Sequence, residues 1–201
     1  MVSGFKRTMK GLALSSLMAA SAVSVAQADE KNGFFLGLGY QQGKYTESSD
    51  IYRDGLTTGA PLYGLGIQMG GVGFANKWFG GQVYGFFDWN NSAQWGSSNR
   101  DKDNLYTYGG AADMIVNLIA TSPFAFGLVG GIQLAGNTWQ FGNMASHTGF
   151  QFLFNAGGRI RIGTHSAIQA GIKFPMIPQK LAPNFAIMRH YSWYINYVFT
   201  F

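Results

Sequence analysis

The sequence has no cysteine and five prolines, and only 11 % of its residues are charged. A soluble domain carries about 25 % charged residues, so charge is short by roughly half. Without cysteine there is no disulfide framework and no thiolate chemistry, whether metal-binding, redox or nucleophilic. Scarcity of Glu and Lys argues against a helical bundle or coiled coil, whose solvent faces need them. Beyond residue 29 no apolar run approaches the ~18 residues of a membrane-spanning helix. What the chain has in abundance is glycine, 29 residues, and aromatic side chains, 16 % of the total. That aromatic content is incompatible with disorder.

The first 28 residues differ in composition from the rest. Lys6, Arg7 and Lys10 make a basic start, Gly11–Val25 is apolar and uncharged, and Ala26-Gln27-Ala28 ends the segment. Small residues at Ala26 and Ala28 fit the two positions a signal peptidase reads, so residues 1–28 read as a cleavable signal peptide. Residues 29–201 are then the mature domain. Cleavage removes three of the 14 basic residues and none of the nine acidic ones, which leaves a net charge of +2. No Lys/Arg run remains, so nucleic-acid binding has no support.

The mature chain repeats with period two. Phe34, Leu36, Leu38 and Tyr40 alternate with Phe35, Gly37, Gly39 and Gln41. Phe152, Phe154, Ala156, Ile160 and Ile162 alternate with Gln151, Asn155, Arg159 and Arg161. Such alternation marks strands with one apolar face. Eight segments follow this pattern, near 33–43, 60–71, 79–90, 105–118, 123–135, 149–162, 167–177 and 188–201. Their connections alternate long and short, the signature of an up-and-down barrel with tight turns at one end. A soluble, lipocalin-like barrel would turn its apolar face inward. The interior of eight strands only just accommodates side chains, and the apolar face here is far too bulky for it. Gly37, Gly39, Gly64, Gly66, Gly109, Gly127, Gly131, Gly157 and Gly171 crowd the opposite face, and aromatics gather near strand ends, as membrane interfaces require. The expected fold is therefore all-β: an eight-stranded antiparallel up-and-down transmembrane β-barrel in the outer membrane.

The final strand, YSWYINYVFTF, ends on Phe201 with Tyr191, Trp193, Ile195, Tyr197 and Phe199 at alternate positions before it. This resembles the C-terminal signal that the barrel-assembly machinery reads in Gram-negative outer-membrane proteins. An unpaired edge with an aromatic stripe is suited to capture by strand addition. The same ending, and the opening NGFFLGLGYQQGKYT, are similar to those of the Helicobacter outer-membrane protein family. Members of that family include adhesins and porin-like proteins. The adhesins carry a large extracellular domain that 173 mature residues leave no room for, so the adhesin role does not transfer.

Alternation places Asp88, Asp113, Arg159, Arg161 and Lys173 in the lumen, where buried charges must pair. Strand direction favours Asp113 with Arg159 in the lower half, and Asp88 with Lys173 or His190 above. A packed structural plug is preferred to a conducting path, since eight strands leave no continuous channel. A second reading is a lipid-modifying enzyme: His190 and Ser192 lie two apart, which resembles the His-x-Ser of lipid A deacylases. Both would face the lumen, away from lipid, and no Asp or Glu follows Asp113 to orient them. Ser146-His147 is a weaker pair of the same kind, and His165 reads as a turn residue. No catalytic role is assigned, and three distant histidines make no metal site. No cofactor is expected, because Gly70-Gly71-Val72-Gly73 lacks the Lys and the strand-to-helix context of a phosphate loop. The expected partners are outer-membrane lipid (lipopolysaccharide and phospholipid), the assembly machinery, and a host or surface ligand reached through the outer loops Tyr45–Gly59 and Asn91–Asn104. A narrow porin-like channel is the third reading.

Overall fold

The computed structural model describes residues 30–48, 59–92, 103–141, 146–182 and 185–201. The segment 1–28, with Ala26 and Ala28, lies outside the described residues, as do 49–58 and 93–102 of the outer loops.

Nine strands follow in order: β1 (Gly33–Ser48), β2 (Ala60–Phe74), β3 (Phe79–Asn91), β4 (Asp103–Ala120), β5 (Phe124–Phe141), β6 (His147–Ile162), β7 (Ser166–Pro175), β8 (Gln179–Ala182) and β9 (Phe185–Thr200). Each of β1 to β7 pairs antiparallel with its sequence neighbour, β7 pairs with β9, and β9 pairs back onto β1. Eight strands thus close an antiparallel barrel. The ninth, β8, pairs only with the start of β9, as Gln179↔Ile187 and Lys180↔Ala186. It extends the last outer connection as a short hairpin, where the sequence reading placed a loop.

Alternation drives closure. In β3, Phe79, Val83, Phe87 and Trp89 face outward while Gln82, Tyr84, Phe86, Asp88 and Asn90 are buried. The outward face keeps Met114 63 % and Leu38 59 % exposed, a degree of apolar exposure that only hydrocarbon makes favourable. Glycine sits where neighbouring walls converge. Gly157 pairs with Gly171 across β6 and β7, and a Cβ on Gly157 would run into the Ala170 carbonyl and, at 2.8 Å, the Gly171 Cα.

The short turns lie at one end. Asn76 Oδ1 accepts from the backbone N–H groups of Trp78 and Phe79 at 2.8 and 2.9 Å, closing the β2–β3 turn. Gly163, with φ of 70°, turns β6 into β7, a conformation that glycine adopts without strain. At the other end the strands run past the positions expected from the sequence, with β1 to Ser48, β4 from Asp103 and β5 to Phe141. The 18 residues of β4, at ~3.3 Å each and tilted by about 40°, rise roughly 45 Å, against an apolar band of about 25 Å. The extra height stands in water beyond the lipid, where hairpin pairing replaces solvent for the backbone.

Candidate functional site

The lumen is built in layers. At the short-turn end, Glu30 lies just ahead of β1 and is 6 % exposed. Its carboxylate receives a bidentate pair of bonds from Arg159, Nη1 to Oε1 at 3.0 Å and Nη2 to Oε2 at 3.1 Å. Asn117 Nδ2 donates to Oε1 at 3.0 Å, and Arg161 Nε stands 3.2 Å from the same oxygen. Arg161 also donates to the carbonyls of Ser122 (3.1 Å), Thr121 (2.8 Å) and Gly163. One carboxylate therefore joins the segment just ahead of β1 to β4 and β6 and, through Arg161, to two of the short turns.

Asp113 does not pair with Arg159, as the sequence suggested. Glu30, ahead of the first strand, reaches Arg159 instead, and Asp113 is held by neutral donors. Gln82 Nε2 (2.8 Å) and the Tyr84 hydroxyl (2.9 Å) donate to Oδ2, and Asn155 Nδ2 (3.0 Å) donates to Oδ1. Gln133 Nε2 donates to the Tyr84 hydroxyl at 3.2 Å, and Gln169 Nε2 to Gln82 Oε1 at 3.0 Å. One level higher, Lys173 Nζ bonds Asp88 Oδ2 at 2.6 Å, with the ammonium near the rings of Phe86 and Tyr194. His190 takes no part in that pair. Above it Arg189, 2 % exposed, donates to Gln41 Oε1 at 3.2 Å and Thr107 Oγ1 at 3.4 Å.

These bonds cross the bore. In the ring of eight, β3 stands opposite β7, and β4 stands opposite β9. Gln82–Gln169, Asp88–Lys173 and Thr107–Arg189 each join diametrically opposed walls. An apolar layer of Tyr45, Leu62, Leu105, Trp139 and Ile187 lies at the long-loop end. Tyr45 and Trp139 pack with ring centroids 5.1 Å apart, and the Tyr45 hydroxyl donates to Asp103 at 2.9 Å. Tyr45 and Asp103, read from the sequence as loop residues, thus belong to strands that wall the lumen.

Three residues of this constellation escaped the sequence reading. Glu30 lies outside every strand and carries no local pattern. Arg189 shares the parity of the lipid-facing residues Tyr191 and Trp193 and so reads as outward. A β-bulge re-aims it: Lys44 faces Tyr191 but Tyr45 faces Arg189, which leaves His190 as the extra residue. Trp139 lies beyond the expected end of its strand.

The same bulge corrects the placement of the His–Ser pair. Ser192 is fully buried in the lumen, while His190 is only partly covered, its Nε2 2.6 Å from Thr46 Oγ1. The two side chains therefore do not lie side by side on one strand face, and the arrangement does not assemble a nucleophile with its base. Ser146 and His147 are exposed at the start of β6. His165 occupies the β6–β7 turn, donates from Nδ1 to the Thr200 carbonyl at 2.7 Å, and stacks on Phe199. Among the described residues no group of three or more His, Cys, Asp or Glu is placed to hold a metal ion.

A closed antiparallel ring with an apolar exterior, aromatic rims and a polar, cross-braced interior defines an integral β-barrel protein of the bacterial outer membrane. A family model described as Helicobacter outer membrane protein matches residues 66–201, and the chain belongs to that family. The match includes the aromatic C-terminal ending and leaves the opening stretch after residue 32 outside it. Outer membrane protein OprG from Pseudomonas aeruginosa has a similar structure, with a TM-score of 0.54, 11 % identity, and coverage of 87 % of this chain and 99 % of that one. Ail, the attachment invasion locus protein of Yersinia pestis, aligns with a TM-score of 0.49 at 15 % identity over 85 % of this chain and 100 % of its own. Neisserial surface protein A aligns at 0.48 and 14 % over 86 % and 100 %. No curated protein matches the chain.

Proposed function

We propose that the protein is a closed, lipid-embedded scaffold whose task is surface interaction through its outer loops. The observation that carries this reading is the set of three hydrogen bonds spanning the full diameter of the lumen at three heights. A bore crossed in this way gives solutes no continuous path, and recognition then falls to the outer rim. Loops on a rigid scaffold are suited to that work. The residues above the lipid support it too: an apolar layer closes the lumen beneath the loops, so a ligand meets a firm base. In this reading residues 1–28 direct export, the alternating aromatics from Tyr191 to Phe201 address the barrel to its assembly machinery, and phospholipid and lipopolysaccharide surround the apolar belt.

The test is a pair of measurements on the refolded protein. In planar bilayers the barrel gives no steady single-channel steps; sustained steps would establish the porin-like reading instead. Replacing residues 49–58 or 93–102 with short Gly/Ser linkers abolishes attachment of expressing cells to a ligand array, while the gel-mobility shift on boiling is kept. Unchanged attachment by both variants would refute the loop reading. His190→Ala leaves lipid A composition as it was, and a changed composition would revive the lipid-modifying reading.

A further inference from the structure

On the outer rim of the barrel, aromatic rings of neighbouring strands meet at one place and part at another. Between β3 and β4 the rings of Phe87 and Tyr106 approach with centroids 6.2 Å apart. Across β1, β2 and β3 the outward row Tyr40–Leu65–Trp89 is different. Tyr40 leans toward β9, its ring 5.5 Å from that of Trp193. Trp89 leans the other way, toward β4, where its Nε1 donates to Asn104 Oδ1 at 3.0 Å. Leu65 between them is left 59 % exposed. The parted rings open a cleft of about 200 Å³, walled by Tyr40 and Trp89, floored by Gly64 and Leu65, and topped by Tyr63 and Asn91.

The cleft straddles the edge of the lipid. The outward row below it, Leu38–Ile67–Phe87, is apolar, and the row above, Gln42–Tyr63–Asn91, carries two amides and a hydroxyl. One row higher, ~7 Å along the strand, Lys44 faces outward between the buried Gly43 and Tyr45. Asp88 on β3 and Asp103 on β4 are turned into the lumen, bonded to Lys173 and to the Tyr45 hydroxyl. Among the described side chains, the outward charge at this level is therefore positive. This end carries the long connections and so lies in the outer leaflet.

We propose that the cleft binds one phosphorylated glycolipid of the outer leaflet, of the lipopolysaccharide type. An acyl chain enters between Tyr40 and Trp89, the sugar lies against Gln42, Tyr63 and Asn91, and the phosphate meets Lys44. Slot, amides and cation follow one another up the wall in the order of such a lipid from tail to headgroup. A simple phospholipid has no sugar to occupy the amide row. Rings at this depth suit the boundary between chain and headgroup, and lysine serves phosphate as a point charge. The site differs from the general lipid belt because it fixes one molecule at one position on the wall, and it does not depend on the outer loops.

The test uses the full mature barrel in mixed micelles that hold equal amounts of lipid A, its dephosphorylated form and phosphatidylglycerol, with the lipid that stays bound read by native mass spectrometry. One lipid A per barrel is expected to be retained in preference to both competitors. Leu65→Trp, which fills the cleft, should abolish the preference, whereas Leu128→Trp, at a similarly exposed position on β5, should leave it intact. Lys44→Gln should weaken retention of lipid A about threefold to fivefold, as for one exposed charge pair, and leave the dephosphorylated form unchanged. Should Leu65→Trp lose the gel-mobility shift on boiling, Trp89→Ala, which removes one wall, should abolish the preference in its place. Equal retention of phosphatidylglycerol would assign the cleft to phospholipid and overturn the proposal. So would equal loss in Leu65→Trp and Leu128→Trp, or no selective retention by the wild type, either of which would leave only an unspecific lipid belt. Equal binding of the phosphorylated and dephosphorylated forms would overturn the role of Lys44.

Discussion

Replacing Glu30 with Gln tests whether a residue outside the barrel wall holds the wall together. Glu30 takes a bidentate pair from Arg159, a bond from Asn117 and a close contact from Arg161, all at positions 6 % exposed or less. Glutamine keeps the shape and one carbonyl acceptor but removes the charge, which leaves two buried guanidiniums without a counter-ion. Removing one partner of a buried pair typically costs about 3–5 kcal/mol. Arg161 keeps its bonds to the turn carbonyls of Thr121 and Ser122, so the lower end of that range applies. A loss of ~3 kcal/mol shifts the folding equilibrium by roughly two orders of magnitude. The assay is reversible urea unfolding in lipid vesicles, followed by tryptophan fluorescence and by gel mobility without boiling. The expected result is a clearly lower urea midpoint for Glu30→Gln. Adding Arg159→Met should restore part of the loss, because the second change removes one of the stranded charges. An unchanged midpoint in the single variant, or strictly additive losses in the double, would refute the electrostatic account.

Other positions give separable outcomes. Lys173→Met should lower the urea midpoint by a comparable ~3–5 kcal/mol, since Asp88 is left buried opposite it, and Asp88→Asn in the same chain should recover part of that loss. Gly157→Val should prevent the heat-modifiable band from forming, because the new side chain meets the β7 backbone at Ala170 and Gly171, whereas Gly110→Ala, with nothing within 4 Å, should assemble normally. Leu62→Ala, in the fully buried outer layer, should cost about 2–5 kcal/mol without altering attachment through the loops. Deleting Phe201, whose amide bonds the Phe34 carbonyl at 2.9 Å, should slow assembly in vivo more than refolding in detergent, read as accumulated unfolded precursor; equal effects would argue against a role as an assembly address.

The strands and their orientation were legible because lipid imposes a strong rule: every second residue from Phe152 to Phe154, or from Trp193 to Phe201, must be apolar. Charges at Asp88 and Lys173 were legible for the complementary reason, as exceptions on the inward face. The rule weakens beyond the bilayer and then inverts. There the exterior meets water and the interior packs as a core, so Tyr45, Leu105 and Trp139 point inward between Lys44, Thr46, Thr138 and Gln140. An eye trained on the lipid belt reads those stretches as loop. Arg189 was hidden by a single inserted residue, His190, which reverses the parity of everything before it in β9. Glu30 was hidden because its partner Arg159 lies 129 positions away, and no local spacing signals that meeting.

The seam between β1 and β9 runs from Phe35↔Thr200 to Ser48↔Ala186, joining the first strand of the barrel to the last. A frameshift or premature stop between β7 and β9 therefore deletes half of the seam and leaves β1 and β7 as two adhesive edges, one on each side of the gap. Partial products have no intermediate level of activity to offer, and selection on such a gene sees only whole copies and failures. Length variation that survives in natural alleles should fall in the outer loops and spare the segments that meet at the seam.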